Sequence, residues 1–115
     1  MEYIKIDKNL IPYEFEISLF GEMFKIKVTH NSIADMIVLG LSKQNTETGM
    51  YEEVSAGEPV IYGVPLWQDV FIANKFPFSP ITPFDKSGES NAVTYDNISS
   101  TVFLYIADLE GEVGE

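Results

Sequence analysis

The residues able to do chemistry in this chain are few, and their spacing does not assemble a catalytic set. One histidine, His30, closes a stretch of alternating apolar and polar residues. A histidine base needs a nucleophile or a substrate proton within reach, and no Gly-x-Ser-x-Gly turn accompanies it. Carboxylates are plentiful, at Glu52-Glu53, at Asp85 with Glu89, and in residues 108–115. Adjacent carboxylates on a strand point to opposite faces, so Glu52 and Glu53 make a poor acid–base pair. Asp85-Lys86-Ser87-Gly88 holds the residues of an Asp-Ser-Gly motif, but the inserted lysine breaks it. Calcium would require a D-x-D-x-D-G type loop, which is absent. Zinc would have a single imidazole and no thiolate. Gly57 and Gly63 are isolated and cradle no phosphate. The residues therefore predict no catalysis, no metal and no cofactor.

Composition narrows the remaining classes. The chain has 115 residues, 45% apolar and 13% aromatic, with no cysteine. Such a length fits one compact domain, and the missing thiols exclude a disulfide scaffold. Seven lysines against eighteen acids give a net charge of −11, which argues against a nucleic-acid backbone as partner. The apolar content is too high for a disordered acidic chain. The N-terminus mixes charges with apolar residues and predicts no signal peptide. The longest apolar runs, 36–41 and 102–107, fall well short of the roughly 20 residues that span a bilayer. Synthesis and folding in cytoplasm, without membrane contact, follow as expectations. Asn97-Ile98-Ser99 matches a glycosylation sequon that such a setting would not use.

The elements that must position any functional surface read as β. Tyr13, Phe15, Ile17 and Leu19 alternate with Glu14, Glu16 and Ser18, and Phe24, Ile26 and Val28 alternate with Lys25 and Lys27. A two-residue turn at Gly21-Glu22 would pair Leu19 with Phe24, Ile17 with Ile26 and Glu16 with Lys27. Met36 to Leu41 does not alternate, which predicts a central or covered strand. Gln44 to Gly49 should reverse the chain into residues 50–54. Glu58 to Trp67, punctuated by Pro59, Gly63 and Pro65, reads as an edge or bulged strand. Gln68 to Asn74 is ambiguous and at most a short helix. Phe76 to Phe84, with three prolines, predicts an extended segment outside any ladder. Ala92 to Tyr95 and Val102 to Ile106 read as strands, the last buried on both faces. The class is all-β or nearly so, a small antiparallel sheet or barrel-like domain over residues 1–107. Residues 108–115 are acidic and expected to fray.

Three phrases in order carry a resemblance. These are Ile11-Pro12-Tyr13-Glu14-Phe15, then Tyr62-Gly63-Val64-Pro65-Leu66, then a closing series. The series runs Pro83-Phe84-Asp85-Lys86-Ser87-Gly88, Val93-Thr94-Tyr95-Asp96-Asn97 and Thr101-Val102-Phe103-Leu104-Tyr105-Ile106. From Ile11 to Ile106 the chain resembles the baseplate plug proteins of contractile-tailed bacteriophages. Two departures stand out: the Phe76–Phe84 run is heavier in proline and phenylalanine, and the 44–49 turn is where members should differ. The resemblance implies a virion structural protein of the tail baseplate that closes the tail-tube lumen at the hub. Its implied partners are hub, tube and other baseplate proteins, and several copies of itself, with no catalytic residues.

Tyr62, Trp67, Phe71, Phe76, Phe78 and Phe84 are the candidate interface residues. Phenylalanines on a pre-extended proline segment would dock at low ordering cost. The competing reading is a β-sheet binding module for a carbohydrate or peptide, with Trp67 and the tyrosines as its platform.

Overall fold

A computed structural model describes residues 2–107; the acidic residues 108–115, expected to fray, lie outside the described residues. The alternating stretch folds as a hairpin of β2 (Tyr13–Leu19) and β3 (Glu22–Asn31). Its turn is Phe20-Gly21, with φ of 55° and 82°. Positive φ at both central residues marks a type I′ turn, whose twist matches that of the strands. The turn thus sits one residue earlier than Gly21-Glu22, and the pairing is corrected accordingly. Leu19 faces Glu22, Ile17 faces Phe24, Phe15 faces Ile26 and Glu16 faces Lys25. The partner of each residue moves by two positions rather than one, so the predicted face of every side chain survives. Phenylalanine in the left-handed region costs about 1–2 kcal/mol. The Phe20 ring packs edge-on against Phe71, with centroids 5.9 Å apart, which offsets part of that cost.

Strand β4 (Met36–Gln44) is central, pairing β3 on one side and β5 (Tyr51–Pro59) on the other. Ile37, Leu39 and Leu41 point into the core. The reversal between β4 and β5 is held by the Asn45 side chain, which accepts from the Glu47 and Thr48 amides. At Gly40 a Cβ would stand 3.0 Å from the Ala56 carbonyl oxygen, so the close approach at the β5 bulge needs glycine. The extended piece expected from Glu58 to Trp67 stops at Pro59, where β5 ends, and turns follow. The ambiguous segment is the helix α1 (Gln68–Asn74).

The second sheet has the order β1-β7-β6, from β1 (Glu2–Ile4), β6 (Ile81–Phe84) and β7 (Phe103–Ile106). Half of the proline segment therefore does join a ladder. Pro83 faces Leu104 across it and is tolerated because β6 lies at the sheet edge. Ala92 to Tyr95 is not a strand. The Asn97 side chain accepts from the Thr94 amide and donates to the Ala92 carbonyl, folding this stretch into turns. The sequon asparagine is thereby committed at both ends of its amide. Strand β7 is buried on one face only: Leu104 is buried, while Phe103 and Tyr105 are half-exposed.

One hydrophobic core takes Ile4, Ile81 and Leu104 from the small sheet and Phe24, Ile26, Val28 and Leu39 from the large one. Trp67 and Phe71 lie in the same core. The protein is mostly β with one short helix, as two antiparallel sheets of three and four strands. No helix among the described residues is long and apolar enough to cross a membrane.

Candidate interaction surface

Strand alternation decides what the small sheet shows to its surroundings. With Ile4, Leu104 and Pro83 facing inward, Tyr3, Phe103, Tyr105, Thr82 and Phe84 must face outward. Tyr3 and Phe84 remain 48% and 46% exposed. The Tyr3 ring lies 4.7 Å from Phe103 and 6.0 Å from Tyr105, and Tyr62 packs on Phe84 at 5.6 Å. The Lys86 ammonium sits 4.6 Å from the centre of the Tyr105 ring. Lys86 thus sets a cation on this aromatic face, in a chain that is strongly acidic. Burial, with the nearby Tyr3 and Asp85 charges adding, pushes the Tyr105 phenol above its usual range.

The loop after β6 is fixed by Asp85, a carboxylate only 1% exposed. Its oxygens accept from the Ser87 hydroxyl at 2.6 Å, the Ser87 amide and the Ser90 amide, both at 2.8 Å. The Ser87 hydroxyl leads in holding the Asp85 pKa below the ordinary carboxylate value, with the amides reinforcing it against the opposing effect of burial. The Asp85 amide donates to the Tyr62 hydroxyl at 3.1 Å. Tyr62 and Phe84 are thus locked in place by the same loop.

The six predicted interface residues divide by burial. Trp67 and Phe71 are fully buried. The Trp67 indole donates to the Leu39 carbonyl, and its amide donates to the Glu58 carboxylate. Phe71 stacks on Phe78 at 5.2 Å and meets Phe24, Phe76 and Trp67 edge-on. Phe76 and Phe78 are partly buried against the core. Tyr62 and Phe84 reach the aromatic face. Sequence reasoning missed Tyr3, Phe103 and Tyr105, although the Phe-Leu-Tyr order of β7 carries the alternation that exposes them.

His30 and the paired glutamates are the remaining chemical candidates. His30 Nε2 lies 2.9 Å from Asp35 Oδ1, and its ring packs on Tyr95. Asp35 also accepts from the Tyr95 amide. These bonds, the one to His30 first, hold Asp35 below the usual carboxylate range. Among the described residues no serine hydroxyl is hydrogen-bonded to the His30 ring. Glu52 and Glu53 face Lys43 and Ser42 across the ladder, on opposite sides of the sheet. Among the described residues no cluster of His, Asp or Glu could hold a metal ion. A shallow cavity of about 370 Å³ lies beside the 31–36 loop, lined by Asp35, Met36, Ile61, Tyr62 and Val93.

Comparison with known proteins gives one family. A family model described as the cyanophage baseplate Pam3 plug gp18 matches residues 1–110. No curated protein matches the chain.

Proposed function

The chain belongs to the cyanophage Pam3 baseplate plug family, and from that premise we propose that it closes the lumen of a contractile tail tube at the baseplate hub until infection. It works through protein–protein contacts rather than catalysis, with hub, tube and other baseplate proteins as partners. Several copies stand around the tube axis, as the symmetry of such assemblies favours. Its place is the tail baseplate of the virion, reached after synthesis in bacterial cytoplasm. Residues 1–107 act as one module, which the core shared by the two sheets supports.

The observation that carries this reading is the aromatic face of the small sheet. Tyr3, Phe84, Phe103 and Tyr105 are held rigidly at a surface where a soluble monomer gains nothing from them, and such patches mark interfaces. Tyr62 and Phe84 are the predicted interface residues that contribute to it. The net charge of −11 suits a channel component, because carboxylates repel the phosphates of DNA passing at short range. A sugar- or peptide-binding platform on Trp67 finds no support, since the indole has no exposed face.

Reconstitution tests the proposal. The purified chain should assemble with the hub and tube proteins encoded beside it, and cryo-electron microscopy should place it in the tube lumen. The double variant Tyr3→Ala/Phe84→Ala should fold and fail to assemble. Density outside the tube lumen, or full assembly of that variant, would refute the reading.

A further inference from the structure

The four sheet edges among the described residues are not guarded alike. β1 is three residues long, and β6 is four with Pro83 inside it. β5 is bulged, contains Gly57 and ends in Pro59. These are the usual devices that keep an edge from pairing with another chain. β2 has none of them: seven regular residues, Tyr13–Leu19, without proline, glycine or bulge. We propose that the free edge of β2 docks an extended strand of a partner protein in which apolar residues alternate with lysine or arginine.

The backbone supplies the first part of the argument. Counting the antiparallel ladder from the two-residue turn, Leu19, Ile17, Phe15 and Tyr13 exchange hydrogen bonds with β3. The peptide groups of Ser18, Glu16 and Glu14 then point away from β3, toward the open edge. On the core side, Tyr13, Phe15 and Ile17 are only half-buried, so an added strand would complete their burial.

Charge selects the occupant. Strand β3 shows what complements β2: Phe24, Ile26 and Val28 on the core side, Lys25 and Lys27 opposite Glu16 and Glu14. Yet among the described residues the ion pairs are His30–Asp35 and Lys43–Glu22. Lys25 turns instead to the Tyr51 ring, at 4.5 Å. Both glutamates are exposed and neither is in an ion pair; Glu16 has the Tyr51 phenol beside it, whose proton it helps retain, and Glu14 is open to a strand on the other side. A second copy of β2 would crowd four glutamates on one face, which like-charge pairing disfavours. The inference rests on the protein working through protein contacts and does not depend on lumen closure.

Hydrogen exchange on the full chain tests it, with a synthetic peptide of residues 22–31 as probe. In the free protein the Phe15 and Ile17 amides should be protected while those of Glu14, Glu16 and Ser18 exchange rapidly. The peptide should slow these three by roughly tenfold or more. Glu14→Lys/Glu16→Lys should abolish the effect and respond instead to a peptide carrying glutamate at both lysine positions. Glu16→Pro removes an outward donor, so it should keep its melting temperature and lose peptide protection. The proposal is overturned if saturating peptide gives no protection, or if the charge-reversed variant binds the lysine peptide unchanged. Concentration-dependent protection without peptide would assign the edge to a second copy and also overturn it. Failure of the chain to occupy the tube lumen would count against lumen closure and leave this result standing.

Discussion

The Trp67 indole donates to the carbonyl oxygen of Leu39 at 3.3 Å, tying the entry of α1 to the centre of β4. Both residues are fully buried, and Trp67 holds a left-handed backbone with φ of 55°. The largest side chain of the core therefore also satisfies a main-chain acceptor at the middle strand of the large sheet.

Removing that side chain should be costly. Trp67→Ala is expected to destabilise by about 3–5 kcal/mol through lost burial and the cavity left behind. Trp67→Phe keeps most of the volume but orphans the indole bond, at about 1–3 kcal/mol. Urea unfolding followed by circular dichroism orders the two. Equal losses would show that the bond to Leu39 contributes nothing.

The aromatic residues should separate into two groups on alanine substitution. Phe78→Ala, which strips the ring stacked on Phe71, is expected to cost about 3 kcal/mol. Phe84→Ala and Tyr3→Ala, at the exposed face, should each cost about 1 kcal/mol or less. Assembly with hub proteins should respond in the opposite order. A Phe84→Ala protein as unstable as Phe78→Ala would move Phe84 from the surface set to the core set.

Acid should loosen the loop after β6. The folded-state pKa of Asp85 is depressed below its reference value of 3.8, so its bonds stabilise the protein in full above that value. That contribution is lost as the pH falls through the folded-state pKa. Asp35, also depressed, adds in the same direction. Asp85→Asn should reduce stability at neutral pH and flatten its decline in acid. Thermal melts from pH 7 to pH 2 read this directly, and parallel curves for variant and parent would contradict it.

The first hairpin should be sensitive at its turn. Gly21 has φ of +82° and open space around its Cβ position, so the penalty for Gly21→Ala is conformational alone. About 1 kcal/mol is expected. Gly21→Asn should cost less, because asparagine tolerates the left-handed region. Equal melting temperatures for the glycine and alanine forms would argue against the type I′ turn.

Much of this fold is legible in the residues, and the parts that are not have identifiable causes. Alternation in Tyr13–Leu19 and Phe24–Val28 assigns every side chain to its face. The turn is displaced because either Phe20-Gly21 or Gly21-Glu22 gives glycine a positive φ, and the contact with Phe71 offsets part of the cost of Phe20 there. Local pattern could not reveal that contact. Pro83 argues against a ladder, and its place at an edge depends on which strand β7 chooses on its other side. β7 in turn pairs with β1, from the far end of the sequence. The aromatic face inherits this difficulty: Phe103 and Tyr105 read as core until Tyr3 is known to lie beside them. Family resemblance is legible from ordered phrases along the chain, whereas the aromatic face depends on long-range pairing.

That same pairing sets an order of events during folding. The four-stranded sheet is built from successive hairpins, so each of its contacts is local and can form early. The three-stranded sheet waits for its middle strand, β7, the last strand in the chain, before β1 and β6 have anything to pair with. Its closure is the high-contact-order step, and the aromatic face exists only after it. A nascent or truncated chain lacking residues 103–106 would carry a formed large sheet and no aromatic face. Pulse-labelled hydrogen exchange should accordingly protect the amides of β3 and β4 before that of Leu104. The aromatic face is thus a product of the three-stranded sheet as a whole, and no one of its strands can present it alone.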